Sequence, residues 1–585
     1  MRRIVVIAAG PAGISAATRI KRRLPEHEVN VIIPAAVAGT QDAFGPAGRR
    51  RNLALPNLET LASREVGILE AQDIMPDLAE GEITVSSSRG SLPIRYTDLV
   101  LEVPATVRLP RALHKAANVF SWPMPGFAAD PGPCDAALAE AAASNSPVLV
   151  VGSGVSALDA VCLALEAGAK VRWLRVKESE SPAVETQLDA LLLRFFGPDV
   201  LRIDCPDIAA DRLGLGLNAD GTRLERVILP DGSEYDAACS IWTTPLMGRH
   251  PILREPGVIL DAQGRISLSD DRPEGPPLVL MGSGAAVPGA VLPVSGCALP
   301  AWPGGSEAAE FSAWTALDTV VAVVAAVAAD GKQAPAPGNG TLAVREAMLC
   351  LPGENAARNL RLQRAGLSLA EAQALGRDAE YAIVSSRDGA FALGACDSLV
   401  RDAEIILALT VDRPSRTLLG VQVLGLGPVA DLGDGLFGLA LAALAEGVRL
   451  DTPARRPALG LCSRMFAAAC AIVCNKLDTL IKGVTPDEFL TSRQAGAEFF
   501  TLDLRSLPDW REGRVPGAYN IPLPQLKKRL QDEVPRFTPL VLVSADGRDA
   551  YAVACRLAGL GATDLYVLDG GMRLWPYETE RGGSV

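Results

Sequence analysis

The sequence predicts an α/β protein of several domains, and three observations lead to this prediction. A short strand of β-branched residues over 2–7 leads through a glycine-containing turn into a helix, and then into a second strand over 29–33. The same order of elements begins again at Val148, about 145 residues further along the chain. From residue 484 onward strands and helices alternate once more, with strands expected over 499–503, 540–544 and 564–568.

The composition is that of a well-packed globular protein. Hydrophobic residues make up 49% and charged residues 21% of the 585 residues, which excludes a disordered chain. The net charge of −12 argues against nucleic acid or an anionic membrane surface as the main partner. The apolar stretches over 320–329 and 467–474 are shorter than the roughly 20 residues needed to cross a bilayer. We therefore predict a cytoplasmic protein without a membrane span.

Cysteine and histidine are distributed without the spacing of a binding site. The 11 cysteines include no Cys-x-x-Cys pair, and the 3 histidines are far apart in the sequence. Neither a disulfide framework nor a zinc or iron–sulfur site is predicted from such a pattern. Most of the thiols are expected to be small core residues in a reducing compartment.

The first glycine-containing turn spans residues 8–13, which read AAGPAG. A dinucleotide-binding turn needs glycine to bend tightly, to let the backbone approach a pyrophosphate and to let the helix pack closely on the strand. The second half of this pattern is present, so the predicted cofactor-binding residues are Gly10, Pro11, Ala12 and Gly13. Ala8 replaces the first glycine, and Ile33 stands where an acid would bind the ribose hydroxyls. A turn retained only for packing remains an alternative interpretation.

The second turn follows the strand expected over 148–151 and opens a helix, which is the context that a dinucleotide-binding turn requires. Its predicted cofactor-binding residues are Gly152, Gly154, Ala157 and, at the end of the next strand, Arg175. An arginine at that place can bind a 2′-phosphate and disfavours the bare diol, so NADPH is a better prediction than NADH. A turn that has lost its ligand is again the alternative.

Three motifs after residue 484 resemble those of a single rhodanese domain. They are DLR over 503–505, GRVPGA over 513–518 and LDGG over 568–571. With the two turns and an α+β pattern over 340–480, they make the chain resemble the pyridine nucleotide–disulfide oxidoreductases along nearly its whole length. Within that family the chain is most similar to coenzyme A-disulfide or persulfide reductases with a fused C-terminal rhodanese domain.

The resemblance implies a domain organisation. Tandem Rossmann-like domains would come first, an FAD-binding-like one of residues 1–120 and 250–332 and an NAD(P)-binding-like one of residues 121–249. Residues 340–480 would form an α+β dimerisation-type domain, and residues 484–585 a rhodanese-like α/β domain beginning with a short hinge over 484–488. Apolar helices expected over 436–444 and 465–481 would supply the homodimer face, or a face for a partner within a larger redox complex.

Several positions depart from what this resemblance implies. The redox cysteine of the family is missing from residues 41–46, which read QDAFGP, and its Ala-Thr-Gly turn is replaced by EVP over 102–104. The Gly-Asp pair near the flavin is matched by Gly282 and Ser283, which we include among the predicted cofactor contacts. Ser544 occupies the rhodanese nucleophile position, and a serine hydroxyl cannot carry a sulfane sulfur at neutral pH. No catalytic residue and no metal ligand is therefore predicted.

Two main functions are compatible with these residues, and a coenzyme A or dinucleotide sensor without turnover is a third. The first is a divergent FAD- and NAD(P)H-dependent oxidoreductase without the redox cysteine, whose flavin would pass electrons directly to an acceptor. The alternative is a pseudoenzyme, a structural or regulatory subunit of a redox or sulfur-metabolism complex. A coenzyme A-type thiol is an expected small-molecule partner under the first hypothesis, and rhodanese activity is expected under neither.

Overall fold

The structure is a computed structural model, and it describes the larger part of the chain: residues 1–8, 11–34, 65–88, 90–103, 105–122, 131–177, 192, 195–244, 246–248, 250–260, 266–269, 275–281, 344–349, 359–386, 404–427, 433–451, 461–478, 481–535 and 538–582. The chain divides into two compact units. The first comprises Met1–Ser181 and Asp199–Leu349, and the second comprises Pro182–Pro198 and Cys350–Val585.

The first unit contains a five-stranded sheet in which all neighbouring strands are parallel. Its spatial order is Leu278–Met281, Asp98–Glu102, Arg3–Ile7, Glu28–Pro34 and Gly67–Ala71. Ile4 and Val6 pack with the helix Pro11–Arg23 on one face, whereas Val5 and Ile7 belong to the core of the other face. The alternation of side chains thus buries both faces of the sheet, as parallel sheets require.

A second five-stranded parallel sheet lies in the same unit. Its order is Val200–Ala209, Val171–Lys177, Val148–Val151, Cys239–Trp242 and Val119–Ser121. The helix Gly132–Ala143 precedes the central strand in sequence, and the helix Gly154–Glu166 follows it. Most of the second helix is buried, which explains why its sequence is apolar on all sides.

The remaining strands of the first unit are short, and their pairings are antiparallel. Two three-stranded sheets are formed by Asp73–Asp77, Glu82–Ser87 and Gly90–Arg95, and by Gly214–Leu217, Leu224–Ile228 and Glu234–Asp236. Two strand pairs are Ala105–Val107 with Leu246–Gly248 and Val258–Leu260 with Ile266–Leu268. A further strand, Val344–Leu349, ends the unit.

The second unit begins with an antiparallel sheet and ends with a parallel one. The antiparallel strands are Leu360–Gly366, Leu418–Leu426, Glu404–Asp412 and Ala379–Ser386 in spatial order. The helices that accompany them are Leu369–Ala374, Gly433–Ala445 and Leu461–Leu477. Nearly every residue of the two central strands is buried, so this sheet is a core element of the unit.

The C-terminal parallel sheet is covered by helices on both sides. Its spatial order is Lys482–Val484, Leu565–Leu568, Leu540–Val543, Phe500–Asp503 and Tyr519–Asn520. Its helices are Pro486–Gln494, Leu507–Glu512, Leu526–Glu533 and Arg548–Gly559. Leu542 and Val543 belong to different buried clusters, one on each face of the sheet. Together with the two parallel sheets of the first unit, this arrangement confirms the predicted α/β fold class.

Two local predictions are wrong. The hinge expected over 484–488 is the end of the strand Lys482–Val484 and the start of the helix Pro486–Gln494. Thr485 and Glu488 form a reciprocal capping box, and Pro486 occupies the first turn, so these residues begin a helix firmly. The helix expected over 465–481 spans Leu461–Leu477 instead, because Ile481 packs in the core of the C-terminal sheet.

Candidate functional site

The helix that follows the first turn begins at Pro11, and its amino end is in contact with a carboxylate. The Gly13 N–H donates a hydrogen bond of 2.9 Å to Oε2 of Glu102, a residue that is only 8% exposed. A Cβ atom at Gly13 would lie 2.6 Å from that oxygen and 2.8 Å from Cα of Ala8. Glycine is therefore required at position 13 for packing, whether or not a ligand binds.

The structure describes only some of the other residues predicted for the first site. Pro11 and Ala12 form the first turn of the helix, and Ile33 is buried at the end of its strand. Gly10, Pro104, Gly282, Ser283 and residues 41–46 lie outside the described residues. The described part of the site thus offers a buried isoleucine and a buried carboxylate where an FAD-binding domain would present an acid to the ribose and N–H groups to the pyrophosphate.

The second turn has the backbone geometry that only glycine adopts readily. Gly152 has φ +143° and Gly154 has φ +72°. A Cβ atom at Gly152 would lie 1.9 Å from Oγ1 of Thr243, so the strand and the turn can approach only because this residue has no side chain. Trp173 Nε1 donates to the Gly152 carbonyl at 3.0 Å and holds the turn in place. Ala157 is completely buried in the following helix.

Arg175 lies in the strand Val171–Lys177, one strand away from the second turn. Its guanidinium is 3.3 Å from Oδ1 of Asp204 and 5.8 Å from the ring centre of Trp173. Arg172, the other arginine of this strand, donates instead to the carbonyl of Asp236 at 3.3 Å. Arg175 is 8% exposed, and its contact with Asp204 orients the guanidinium.

The loop after the strand Leu540–Val543 contains a buried serine hydroxyl. Ser544 is 2% exposed, and its Oγ accepts hydrogen bonds from the N–H groups of Gly547 at 3.0 Å and Ala550 at 3.3 Å. Gly547 has φ +88° and is the N-cap of the helix Arg548–Gly559. The backbone therefore forms an anion-binding nest, but the side chain at its centre is an alcohol.

Asp546 places a negative charge in the same loop. Its carboxylate is 8% exposed, and it accepts hydrogen bonds from the Arg548 N–H at 3.1 Å and from Arg548 Nε at 2.6 Å. Arg573 Nη1 lies 3.9 Å from the same carboxylate. Two cations of the loop region thus face Asp546, which reduces the positive potential available to an incoming anion.

The other C-terminal motifs hold the fold together. Asp503, which is completely buried, forms a forked ion pair with Arg505, and Arg505 Nη2 also donates to the Gly513 carbonyl at 2.7 Å. Asn520 Nδ2 donates to the carbonyls of Asp503 and Arg505. These residues tie neighbouring loops to the sheet, so their presence supports the fold and carries no information on catalysis.

A buried ion pair close to this loop was not predicted from the sequence. Lys476 Nζ donates to Oδ2 of Asp569 at 2.7 Å and to the Tyr381 carbonyl at 2.8 Å. Burial, opposed by the Lys476 charge, raises the pKa of the Asp569 carboxyl to about 6. A Cβ atom at Gly483 would lie 2.1 Å from Nζ, so glycine gives the lysine its space. The pair joins the antiparallel and parallel sheets of the second unit.

Within the described ranges, no group of three or more His, Cys, Asp or Glu side chains is arranged to hold a metal ion. None of the helices that the structure describes is long and apolar enough to cross a membrane. None of the cysteines described forms a disulfide bond; they are Cys134, Cys162, Cys205, Cys239, Cys470, Cys474 and Cys555.

The first unit contains two parallel sheets of the kind found in dinucleotide-binding domains. The second unit ends in a parallel sheet with a rhodanese-type loop. Residues 2–273 match the pyridine nucleotide-disulphide oxidoreductase family, and residues 485–577 match the rhodanese-like domain. The chain therefore resembles the pyridine nucleotide-disulphide oxidoreductases over residues 2–273 and has a C-terminal rhodanese-like domain over residues 485–577, as the sequence predicted. Members of this family bind FAD and NAD(P)H, which confirms the predicted cofactors for the family.

The chain is similar to known proteins both in sequence and in structure. The uncharacterized protein YqhL of Bacillus subtilis (strain 168) is 31% identical over 96 residues, which is 16% of this chain and 73% of YqhL. The reduced form of CoADR-RHD from Bacillus anthracis has a TM-score of 0.72 at 18% identity, covering 98% of this chain and 97% of that one. A NAD-dependent persulfide reductase from A. fulgidus has a TM-score of 0.67 at 19% identity, covering 98% and 100%. Both structural likenesses concern the fold.

Proposed function

We propose that the chain is a non-catalytic member of its family, a regulatory or structural subunit that retains one site for a nicotinamide dinucleotide. It would perform neither disulfide reduction nor sulfur transfer. The observation that carries this proposal is the Ser544 hydroxyl, which is buried at the centre of the rhodanese-type nest and accepts the N–H groups of Gly547 and Ala550.

A serine at this place ends sulfur transfer for a chemical reason. The reaction needs a thiolate that attacks a sulfane sulfur and holds it as a persulfide, whereas a hydroxyl with a far higher pKa stays protonated at neutral pH. Cys555 is the described thiol nearest in sequence, but it lies on the helix Arg548–Gly559, beyond the nest. Asp546 further opposes the anionic sulfur donor.

The second turn supports a nucleotide-binding role. Gly152 and Gly154 have the backbone angles of a dinucleotide turn, and Arg175 is positioned by Asp204. With NADPH bound, these residues would hold the pyrophosphate and the 2′-phosphate, and the nicotinamide would be a hydride donor. Without a redox cysteine in residues 41–46, binding would serve sensing and not disulfide reduction.

A flavin-dependent oxidoreductase is the second candidate. It is favoured by the likeness of the fold, over 98% of this chain, to a NAD-dependent persulfide reductase. In that case electrons would pass from the flavin directly to an acceptor, with a coenzyme A-type thiol among the candidate ligands. A homodimer or membership of a larger redox complex is part of either proposal, and so is a cytoplasmic location.

The experiment that separates the two candidates measures flavin and turnover in the purified full-length chain. The proposal predicts a colourless protein that releases no flavin on denaturation and does not consume NADPH with disulfide, persulfide or oxygen as acceptor. A yellow protein that oxidises NADPH would establish the second candidate instead.

The rhodanese module is tested by cyanide-dependent formation of thiocyanate from thiosulfate. We expect no activity from the native chain. Ser544→Cys should give thiocyanate at least about a hundredfold above background if the nest is otherwise intact, because it restores the nucleophile. Cys555→Ser is the matched control. It should leave the native chain inactive and should not change the activity of Ser544→Cys. Activity of the native chain would contradict the proposal.

A further inference from the structure

Glu102 lies at the place where a dinucleotide-binding fold normally presents free N–H groups to its ligand. It is the last residue of the strand Asp98–Glu102, at the carboxyl edge of the sheet, where ligands of open α/β sheets bind. Its carboxylate, more than nine-tenths buried, accepts the Gly13 N–H at 2.9 Å. The anion at the amino end of the helix Pro11–Arg23 is therefore one that the chain itself supplies.

Two of the first three residues of the helix offer no N–H group to a second anion. The first N–H groups of a helix and its dipole attract phosphate, which is why dinucleotide pyrophosphates bind there. Pro11 has no N–H group, and that of Gly13 is already used by Glu102. A pyrophosphate at this end would also meet the negative charge of Glu102 in a poorly solvated place, where like charges repel strongly.

The second sheet provides an internal reference for this position. In the first sheet Ile7 is paired with Leu101, so Ala8 and Glu102 are the next residues of their strands. In the second sheet Val151 is paired with Trp242, so Gly152 and Thr243 occupy the equivalent positions. A neutral hydroxyl, which donates to the Val151 carbonyl at 3.3 Å, thus stands where the first sheet has a carboxylate.

We infer that Glu102 closes the first nucleotide fold to the pyrophosphate of FAD by occupying the amino end of the helix Pro11–Arg23. The inference deepens the proposed function, on which it rests for a first fold without flavin. It assigns to Glu102 a role in specificity: the same fold excludes a dinucleotide at one turn and accepts one at the other.

The test compares FAD binding to the full-length native chain and to three variants. Glu102→Ala removes the charge and the side chain, and Glu102→Gln removes the charge and keeps the shape. Glu28→Gln removes a half-buried charge, paired with Arg3, at the opposite edge of the same sheet. Binding is measured by quenching of FAD fluorescence, and folding by circular dichroism and by NADPH titration. We expect FAD affinity to rise at least about tenfold in Glu102→Ala, by less in Glu102→Gln, and not in Glu28→Gln.

Two results would overturn the inference. One is a native chain that binds FAD as tightly as Glu102→Ala. The other is a folded Glu102→Gln chain with the FAD affinity of the native one, and this variant decides the matter if Glu102→Ala does not fold. The proposed function fails independently, through flavin and NADPH turnover in the native protein. A flavin-containing native chain whose affinity still rises in Glu102→Gln would support the role of Glu102 and contradict the proposed function.

Discussion

The two nucleotide turns of the first unit share one topology and differ at two equivalent positions, Ala8 against Gly152 and Glu102 against Thr243. Each follows the central strand of a five-stranded parallel sheet and opens a helix of 13 residues. The neighbouring strand reaches the first turn with Glu102 and the second with Thr243. The fold needs only small residues where helix and strand approach, whereas ligand binding depends on which charges lie at the carboxyl edge. Retention of the fold is therefore poor grounds for assigning a ligand.

The rhodanese-type loop of the second unit likewise keeps the backbone geometry of its fold around a changed side chain. Its glycine, its nest of N–H groups and the helix that follows are all in place around Ser544. As at the first turn, a group of the chain accepts the N–H groups that a ligand or a thiolate would use. At the second turn, by contrast, Gly152 and Gly154 keep the backbone angles of a dinucleotide turn, and the neighbouring group is the neutral hydroxyl of Thr243.

The largest expected effect comes from adding a methyl group to the second turn, and it is compared with removing one from the first. Gly152→Ala should destabilise the chain by about 2–4 kcal/mol, because the new Cβ meets Thr243 Oγ1 and the backbone has φ +143°. The opposite change at the equivalent position, Ala8→Gly, should cost only about 0.5–1 kcal/mol. Urea denaturation followed by tryptophan fluorescence measures both. Equal effects would contradict the claim that the contact with Thr243 requires glycine at position 152.

Asp569 is a second buried carboxylate, and its partner is the cation Lys476. The effect of burial on its pKa can be measured through the pH dependence of stability. Its pKa is raised from 3.8 to about 6, so the folded chain binds this proton more tightly than the unfolded chain. The stabilisation from Asp569 is thus complete below its unfolded pKa and disappears as pH rises through 6. Its size is up to about 3 kcal/mol. The difference in unfolding free energy between the native chain and Asp569→Asn should fall by that amount between pH 4 and 7.

The control for this pH dependence is Asp532→Asn, because Asp532 is exposed. Its difference from the native chain should stay constant over the same range. If Asp569→Asn also shows no pH dependence, the carboxyl group of Asp569 is not held in the buried environment described above.

The smallest effect concerns the choice between the two nicotinamide dinucleotides at the second turn. Arg175→Ala should weaken NADPH binding about tenfold and leave NADH binding unchanged, because only NADPH offers a 2′-phosphate. Arg172→Ala is the matched control, since its guanidinium is bound to the Asp236 carbonyl. Isothermal titration with both dinucleotides measures the effect. Equal losses for NADPH and NADH would mean that Arg175 supports the strand and does not recognise the phosphate.

The sequence predicted the fold more fully than the sites. Strands such as Val148–Val151 were identified because runs of β-branched residues end at glycine turns, a local signal. The contact between Glu102 and Gly13 joins residues 89 positions apart and depends on the register of two parallel strands, which no local pattern contains. The same applies to Lys476 and Asp569, 93 positions apart. The capping box of Thr485 and Glu488, by contrast, was a local signal that the hinge prediction overlooked.

The most direct test of the difference between the two turns is a paired titration of one sample of the native full-length chain with NADPH and with FAD. The account predicts saturable binding of NADPH, one molecule per chain, and no binding of FAD at the same concentrations. Tight binding of FAD, or recovery of flavin from the protein as purified, would contradict it.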